Sequence, residues 1–593
     1  MSEIAAILIL LQHPLVWVTV HGLTQDLITP FSFLLSRPFW VRNLASNRIK
    51  AQPVQRVDLS DTKVVEDQSE ITDVYALYLD DESHSFNGKT DRLVFPSSEP
   101  EISTILCDAT EGQTQVTIQG GRTGLTGGAV PLGGVALNLE KLDRMLYMDY
   151  YPDEDMYTVA AETGVLLEDL VDAVSKKDLD ILKDRGTEEQ KAAYERFKSE
   201  SSEYTFPVDP TEMSAWLGGI VACNASGART FRYGAARDWV KRIRVALING
   251  DILDIRRGEI LSEGGIFEIE LSNGEVVEVP VPTYEMPKTK NAAGLYARRE
   301  MDLVDLFVGC EGILGVITMV ELGLVPLPEN LMTVMAFFPS EEDAVGFVYD
   351  IRAPETPVPM DFIEYFGPNA LKMIREKASS AGLTVPALTD ETQAIVFFEF
   401  SYSEEELEEK VLGLEEALNR YHSSSESSWA GLDYTELEKM KTVRHFVPET
   451  INSLIAQRKQ QYPEIHKIGT DMAVPDESLR EYLDFYRTTL EEQGMEYVIF
   501  GHIGDNHLHV NMIPRNAEEV EQGMENYMLF AGRAVELGGT VAAEHGIGKL
   551  KRQFLKVLYG DEGISEMQVV KRALDPSWLL NRGNVVPVPP EFQ

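Results

Sequence analysis

The chain has 593 residues, too many for one hydrophobic core, so two or three domains are expected. Its 96 acidic and 53 basic side chains give a formal charge of -43, which argues against a nucleic-acid partner and for a strongly solvated surface. Cys107, Cys223 and Cys310 are isolated in sequence, which fits a reducing compartment and excludes a cysteine-ligated iron–sulfur cluster in this chain.

The run Ile4–Val20 is apolar but interrupted by Gln12, His13 and Pro14. A spanning helix needs about 20 largely apolar residues, so this stretch reads as an extension with a weak membrane contact or as an over-extended start. Globular patterning begins near Thr72. Leu93–Pro96 reads as a strand and Pro100–Thr110 as a helix with Ile102, Ile105 and Leu106 on one face. Seven of the sixteen residues from Gln119 to Gly134 are glycine, too dense for either element. Such a loop is a flexible turn, or it lets backbone N–H groups close on an anionic ligand such as a phosphate. It is neither a Walker loop nor a GxGxxG fingerprint.

Thr158–Leu170 reads as a strand followed by a helix, and the polar run Ser175–Glu203 as a solvated helical insertion. Phe206–Gly234 is a second small-residue region, and Leu306–Leu324 a third that leads into strands. Between them, strands flank Asn-Gly turns at Asn249–Gly250 and Asn273–Gly274. Beyond Pro328, the strand candidates Leu331–Phe338 and Ala394–Phe400 interleave with helices such as Glu404–Asn419, the pattern of an α+β domain.

Four of the ten histidines fall between Gly501 and Gly548. In GHIGDNHLHVN, residues His507, His509 and Asn511 alternate, so on a strand they share one face, and the Gly-Asn-containing turn can return His502 to it. Glu544 and His545 follow a β-like run, GGTVAA. Two imidazoles and a carboxylate with open positions suit a catalytic divalent metal; the alternative is a set of satisfied histidines.

The ordered segments IQGGRTGLTGGAVP, LGGIVACNASGARTFRYG and GCEGILGVIT resemble the flavin domain of the vanillyl-alcohol-oxidase superfamily. Within it the match is to the FAD-dependent D-2-hydroxyacid dehydrogenases, from Leu93 to Val585. The resemblance implies an α+β fold, with a PCMH-type FAD-binding domain and a ferredoxin-like α+β cap. The expected division is an extension at 1–55, the FAD domain at 56–330 with a charged insertion at 175–205, the cap at 331–560, and a closing segment at 561–593.

By the same resemblance, Gly120, Gly121, Arg122, Thr123, Gly124, Leu125, Thr126, Gly127 and Gly128 hold the FAD diphosphate. Gly218, Gly219, Asn224, Gly227 and Ile317 line the isoalloxazine and ribityl region, and Asn581 closes the site. The first loop carries no His or Cys, so FAD is expected to bind non-covalently. His502, His509 and Glu544 become ligands of a divalent metal, zinc or manganese. His545 becomes the base, Asn511 a substrate contact, and Arg444 and Lys467 the carboxylate-binding cations. Lys467 lies two residues before the family's lysine position, which is Gly469 here. His507 replaces the usual Asn of the motif and reads as a supporting or packed imidazole rather than a fourth ligand. Arg122 stands where small or polar residues are common, and Arg582 interrupts the usual Asn-Pro-Gly.

The implied reaction is oxidation of a D-2-hydroxy acid such as D-lactate or glycolate, with electrons passed to a quinone, cytochrome or electron-transfer flavoprotein. Related alternatives are an alkyl-dihydroxyacetone-phosphate-synthase-like flavoenzyme and a non-catalytic flavoprotein subunit. A cytoplasmic protein, peripheral at a membrane if it touches one and compatible with a homodimer, is expected.

Overall fold

The computed structural model describes residues 46–592, apart from 54, 184, 354, 357, 379–381, 384, 386–387 and 432–433. It also describes two short strands, Ile7–Ile9 and Val16–Val18, which pair antiparallel with each other. The rest of the N-terminal run, and with it the expected membrane contact, lies outside the described residues. No described helix is long and apolar enough to cross a membrane.

Residues 47–593 form one compact unit containing three main sheets. The first has the order Lys63–Val65, Arg92–Phe95, Val135–Asn138, Val116–Gln119, and its last three strands run parallel. The helix Glu99–Glu111 makes one of the crossovers. Ser98 is its N-cap, Pro100 lies in the first turn, and Ile102, Ile105, Leu106 and Ala109 bury one face. The glycine-rich loop runs from Gln119 to Val135, between two parallel strands. That placement explains why a long irregular connection is tolerated there.

The second sheet is antiparallel, in the order Ile252–Arg256, Val240–Ala246, Val316–Gly323, Met156–Glu162, Met145–Tyr151. Its middle strand is buried along its whole length. Glu321 within it is tolerated because Tyr147, Tyr151 and Thr158 all donate hydroxyl hydrogen bonds to it at 2.8–2.9 Å. Upstream, Arg48–Lys50 pairs parallel with Glu268–Glu270, so this part of the expected extension is built into a small sheet.

The third sheet has seven antiparallel strands in the order Trp429–Gly431, Asn330–Phe338, Ala394–Tyr402, Phe362–Phe366, Tyr497–His502, His507–Met512, Ile468–Gly469. Helices Glu341–Arg352, Pro368–Lys377 and Leu407–Arg420 connect or flank these strands, as the interleaved pattern implies. The α+β architecture is therefore as expected. GGTVAA is not a strand; only Thr540 bridges, to Ala473.

The charged insertion also differs from expectation. Its helix, Glu188–Ser199, has a Thr187/Gln190 capping box and an exposed polar face, but it buries Ala193, Tyr194 and Phe197. Phe197 packs against Tyr157 and Tyr204 with ring centroids 5.3 and 5.2 Å apart. A polar composition concealed a narrow apolar stripe. Phe197→Ala is accordingly expected to cost about 3–5 kcal/mol, seen as a lower urea midpoint, whereas Glu195→Ala on the exposed face should leave the midpoint unchanged.

Candidate active site

The histidine cluster is a consequence of hairpin register. Tyr497–His502 and His507–Met512 pair antiparallel with His502 opposite His507, so both rings leave the same face. The reversal runs through Ile503–Asp505 and Asn506, whose φ of 52° is the left-handed conformation that asparagine tolerates. His509, two residues on, shares that face. Ring centroids of His507 and His509 are 4.4 Å apart, and His545 stacks on His509 at 5.6 Å.

Glu544 completes the group from the extended segment beyond helix Ala517–Glu536. Its Oε2 lies 3.4 Å from His502 Nε2 and 3.5 Å from His507 Nδ1. His502, His507, His509 and Glu544 each offer a ligand atom within 4.8 Å of the others. His507 is therefore a member of the cluster, not a neighbour behind it. It is fully buried, and neither of its ring nitrogens makes a hydrogen bond of proper geometry. Three imidazoles and one carboxylate, with unsatisfied nitrogen, form a donor set that fits a divalent metal of the zinc or manganese type.

Buried carboxylates lie beside these rings. Glu364 lies 3.2 Å from His502 Nδ1 and accepts two hydrogen bonds from Arg444, at 2.8 and 2.7 Å. Asp471, fully buried, lies 3.1 Å from His507 Nε2 and 3.5 Å from His545 Nδ1, and accepts the Lys551 ammonium at 2.6 Å. Burial opposes ionisation of Glu364, but Arg444 and His502 hold it well below the usual carboxylate range. Asp471 is held low in the same way, burial being outweighed by His545, Lys551 and His507. Burial pushes His507 down to about 4 and His545 below its ordinary value. His502 goes the other way: burial opposes its charging, but Glu544 and Glu364 bring it up to about 9.

A single cavity of about 310 Å³ reaches from this cluster to the glycine-rich loop. Its wall contains Gly120, Gly121, Arg122, Thr123, Gly124, Leu125, Thr126, Gly128, Gly218, Gly219, Ile317 and Asn581, together with His502, His509, Glu544 and His545. A Cβ at Gly124 or Gly219 would meet nothing within 4 Å, so the bare backbone faces open space there. Arg122 adopts φ 62°, stacks its guanidinium 4.2 Å over Tyr78, and has a buried Nη1 without a partner. Exposed backbone and an unspent guanidinium nitrogen fit the diphosphate of a dinucleotide.

Three cofactor candidates do not reach the wall. Gly127, at φ 74°, is needed because a Cβ would strike Phe86. Gly227 has no room for a Cβ, which would lie 1.9 Å from the Asp209 carbonyl oxygen. Asn224 turns inward and accepts the Arg237 N–H at 2.9 Å. Packing fixes all three positions. Among the substrate candidates, Asn511 is buried on the hairpin face, Lys467 is exposed and donates to Asn452 at 3.0 Å, and Arg444 is committed to Glu364 instead of presenting a free guanidinium.

Sequence reasoning missed Glu364, Asp471, Lys290 and Glu311. Glu311 accepts the N–H groups of Ile547 and Gly548 at 2.8 and 2.7 Å, which pins the loop after His545 to the cavity wall. The signal was present, since Glu311 is the one charge in the buried run LFVGCEGILGVIT.

Comparison with known proteins agrees with this geometry. Residues 90–183 match the FAD binding domain family, and residues 327–585 match the family of FAD linked oxidases, C-terminal domain. The chain is 26% identical to glycolate oxidase subunit GlcD of Bacillus subtilis, over 86% of this chain and 92% of that protein. It is 28% identical to D-lactate dehydrogenase of Archaeoglobus fulgidus, over 83% of this chain and 91% of the other. Among solved structures, alkyldihydroxyacetonephosphate synthase superposes with a TM-score of 0.56 at 14% identity, covering 91% of this chain and 86% of that one, a likeness of fold. The two matched domains and these relatives together identify the chain as an FAD-linked oxidoreductase, similar over most of its length to the FAD-dependent D-2-hydroxyacid dehydrogenases.

Proposed function

We propose that this enzyme oxidises a small D-2-hydroxy acid, of the D-lactate or glycolate type, to the 2-oxo acid. The observation that carries the reading is the one cavity with a glycine-loop wall at one end and His502, His509, Glu544 and His545 at the other. When bound, FAD supplies a two-electron acceptor and a divalent metal a Lewis acid that acidifies a hydroxyl. Gly120–Thr126 and Gly128, with Arg122 among them, would hold FAD non-covalently, and Gly218, Gly219, Ile317 and Asn581 would flank it. His502, His509 and Glu544, joined by His507, would hold zinc or manganese.

His545 is the base in this reading. Asp471 lies at its Nδ1, which favours the proton there and leaves Nε2 free to take the substrate hydroxyl proton. Arg444 acts through Glu364, which orients His502; an outer partner of this kind fixes a ligand's tautomer and direction. Asn511 and Lys467 remain candidates for the substrate side. Residues 56–330 serve as the FAD domain, 331–560 as the cap carrying the metal site, and 561–593 as the closing segment. Electrons then leave to a separate acceptor such as a quinone, a cytochrome or an electron-transfer flavoprotein.

Under anaerobic conditions D-lactate or glycolate should bleach the flavin, L-lactate should not, and a chelator should abolish the bleaching. Flavin that no 2-hydroxy acid reduces would sink the proposal. His545→Ala should retain FAD and metal while the rate of flavin reduction falls about 10²–10⁴-fold; unchanged reduction would remove His545 as base. His502→Ala should lose the metal, measured as metal content per flavin, and full retention would argue against the ligand assignment.

A further inference from the structure

The geometry points to Lys290 as the cation that receives the carboxylate of the substrate, an inference that rests on the oxidation proposed above. Lys290 comes from the irregular stretch before helix Leu303–Phe307, far from the cap in sequence, and its side chain is only 4% exposed. Two neighbours fix its approach. Ala292 donates its N–H to Ala542 O at 2.8 Å, and the Thr540 hydroxyl donates to Asn291 Oδ1 at 2.5 Å. Residues 290–292 therefore lie along 540–544 and deliver the ammonium to Glu544.

The decisive contrast is how little Lys290 is satisfied. An ammonium has three donors. This one has Glu544 Oε2 and Gly227 O, each at 3.4 Å, at the outer limit of a hydrogen bond. Three other buried cations are spent on short contacts, whereas Arg122 keeps its free Nη1 at the glycine-loop end. Arg444 holds Glu364 at 2.7 and 2.8 Å, Lys551 holds Asp471 at 2.6 Å, and Lys549 holds Asn584 and Gly127 O at 2.9 and 3.0 Å. Buried polar atoms without hydrogen-bond partners also occur on neighbouring residues, Ser226 Oγ beside Gly227 and Thr289 Oγ1 and Asn291 Nδ2 on either side of Lys290. In a native interior such atoms are few, and each is a donor or acceptor open to a polar ligand.

Position relative to the metal ligands completes the case. Glu544 Oε2 is the oxygen on which His502 and His507 converge, and Lys290 faces the same atom. A 2-hydroxy acid bound through its hydroxyl at that cluster carries its carboxylate one carbon away, within reach of the ammonium. Burial strengthens a charge-assisted contact made there. Lys290 would thus select acids over uncharged 2-hydroxy compounds.

The test compares Lys290→Gln with Lys290→Arg in the FAD- and metal-loaded enzyme, using D-lactate and the uncharged D-lactamide. In Lys290→Gln the KM for D-lactate should rise about 10- to 150-fold, the range of a lost charge-assisted hydrogen bond. The preference for acid over amide should fall by a similar factor, with metal and flavin content unchanged. Lys290→Arg should keep most of the preference. An unaltered acid preference in Lys290→Gln, or equal behaviour of the two variants, would overturn the assignment. So would loss of metal from Lys290→Gln, because Lys290 would then act on Glu544 and not on the acid. If wild-type flavin is reduced by neither compound, the oxidation reading itself fails, and that result appears before any variant is compared.

Discussion

Everything at the catalytic end depends on one buried carboxylate, Asp471. It accepts backbone N–H groups from Glu544 and His545 at 3.2 and 3.0 Å and the Lys551 ammonium at 2.6 Å, while its own carbonyl accepts Ala543 N–H at 2.7 Å. His507 and His545 lie on its remaining faces. Withdrawing a carboxylate from water costs several kcal/mol or more, so it persists only where partners surround it. Here the partners are the functional residues themselves. Satisfying Asp471 and assembling the site are the same event, and a looser arrangement would leave a bare charge in the interior.

A second carboxylate does the corresponding work beside the glycine-loop cavity. Glu311 grips Ile547 and Gly548 from the FAD-binding side, and Lys549 reaches back to the carbonyls of Gly127 and Gly128 and to Asn584. Burial raises the Glu311 pKa against the pull of those two N–H groups, and Lys549 is brought down to about 8 by its own burial. Each group tolerates the interior because its contacts are backbone dipoles that cannot move away. The loop bearing His545 is thereby held against the cavity from two directions. Such fixing is what the base proposed above requires.

The parts legible in the sequence were those with local signatures. Glycine density at Gly120–Gly128, alternation at His507, His509 and Asn511, and the amphipathic stripe of Glu99–Glu111 are patterns within a few residues, and each fixed an element or a wall of the cavity. Residues whose role is set by distant partners were not legible. Nothing local says that Arg444 faces Glu364 eighty positions away, or that Lys290 meets Glu544 across 254. Gly227 and Asn224 show a different limit: a small-residue run looks alike whether it admits a ligand or another backbone. His507 fell between the two cases, because alternation placed its ring on the right face while only the hairpin register set it opposite His502.

The closing segment sets an order of events in the making of the protein. Asn581 Oδ1 accepts the N–H of Ile118, and its amide donates to Glu311 O, so one side chain joins the strand before the glycine loop to the wall opposite. The first of these contacts spans 463 residues. The loop is therefore synthesised long before the residue that closes its cavity, and the cavity is first complete only once Asn581 has been made. A chain ending before Asn581 leaves the glycine-rich loop without the side chain that ties its strand to the opposite wall.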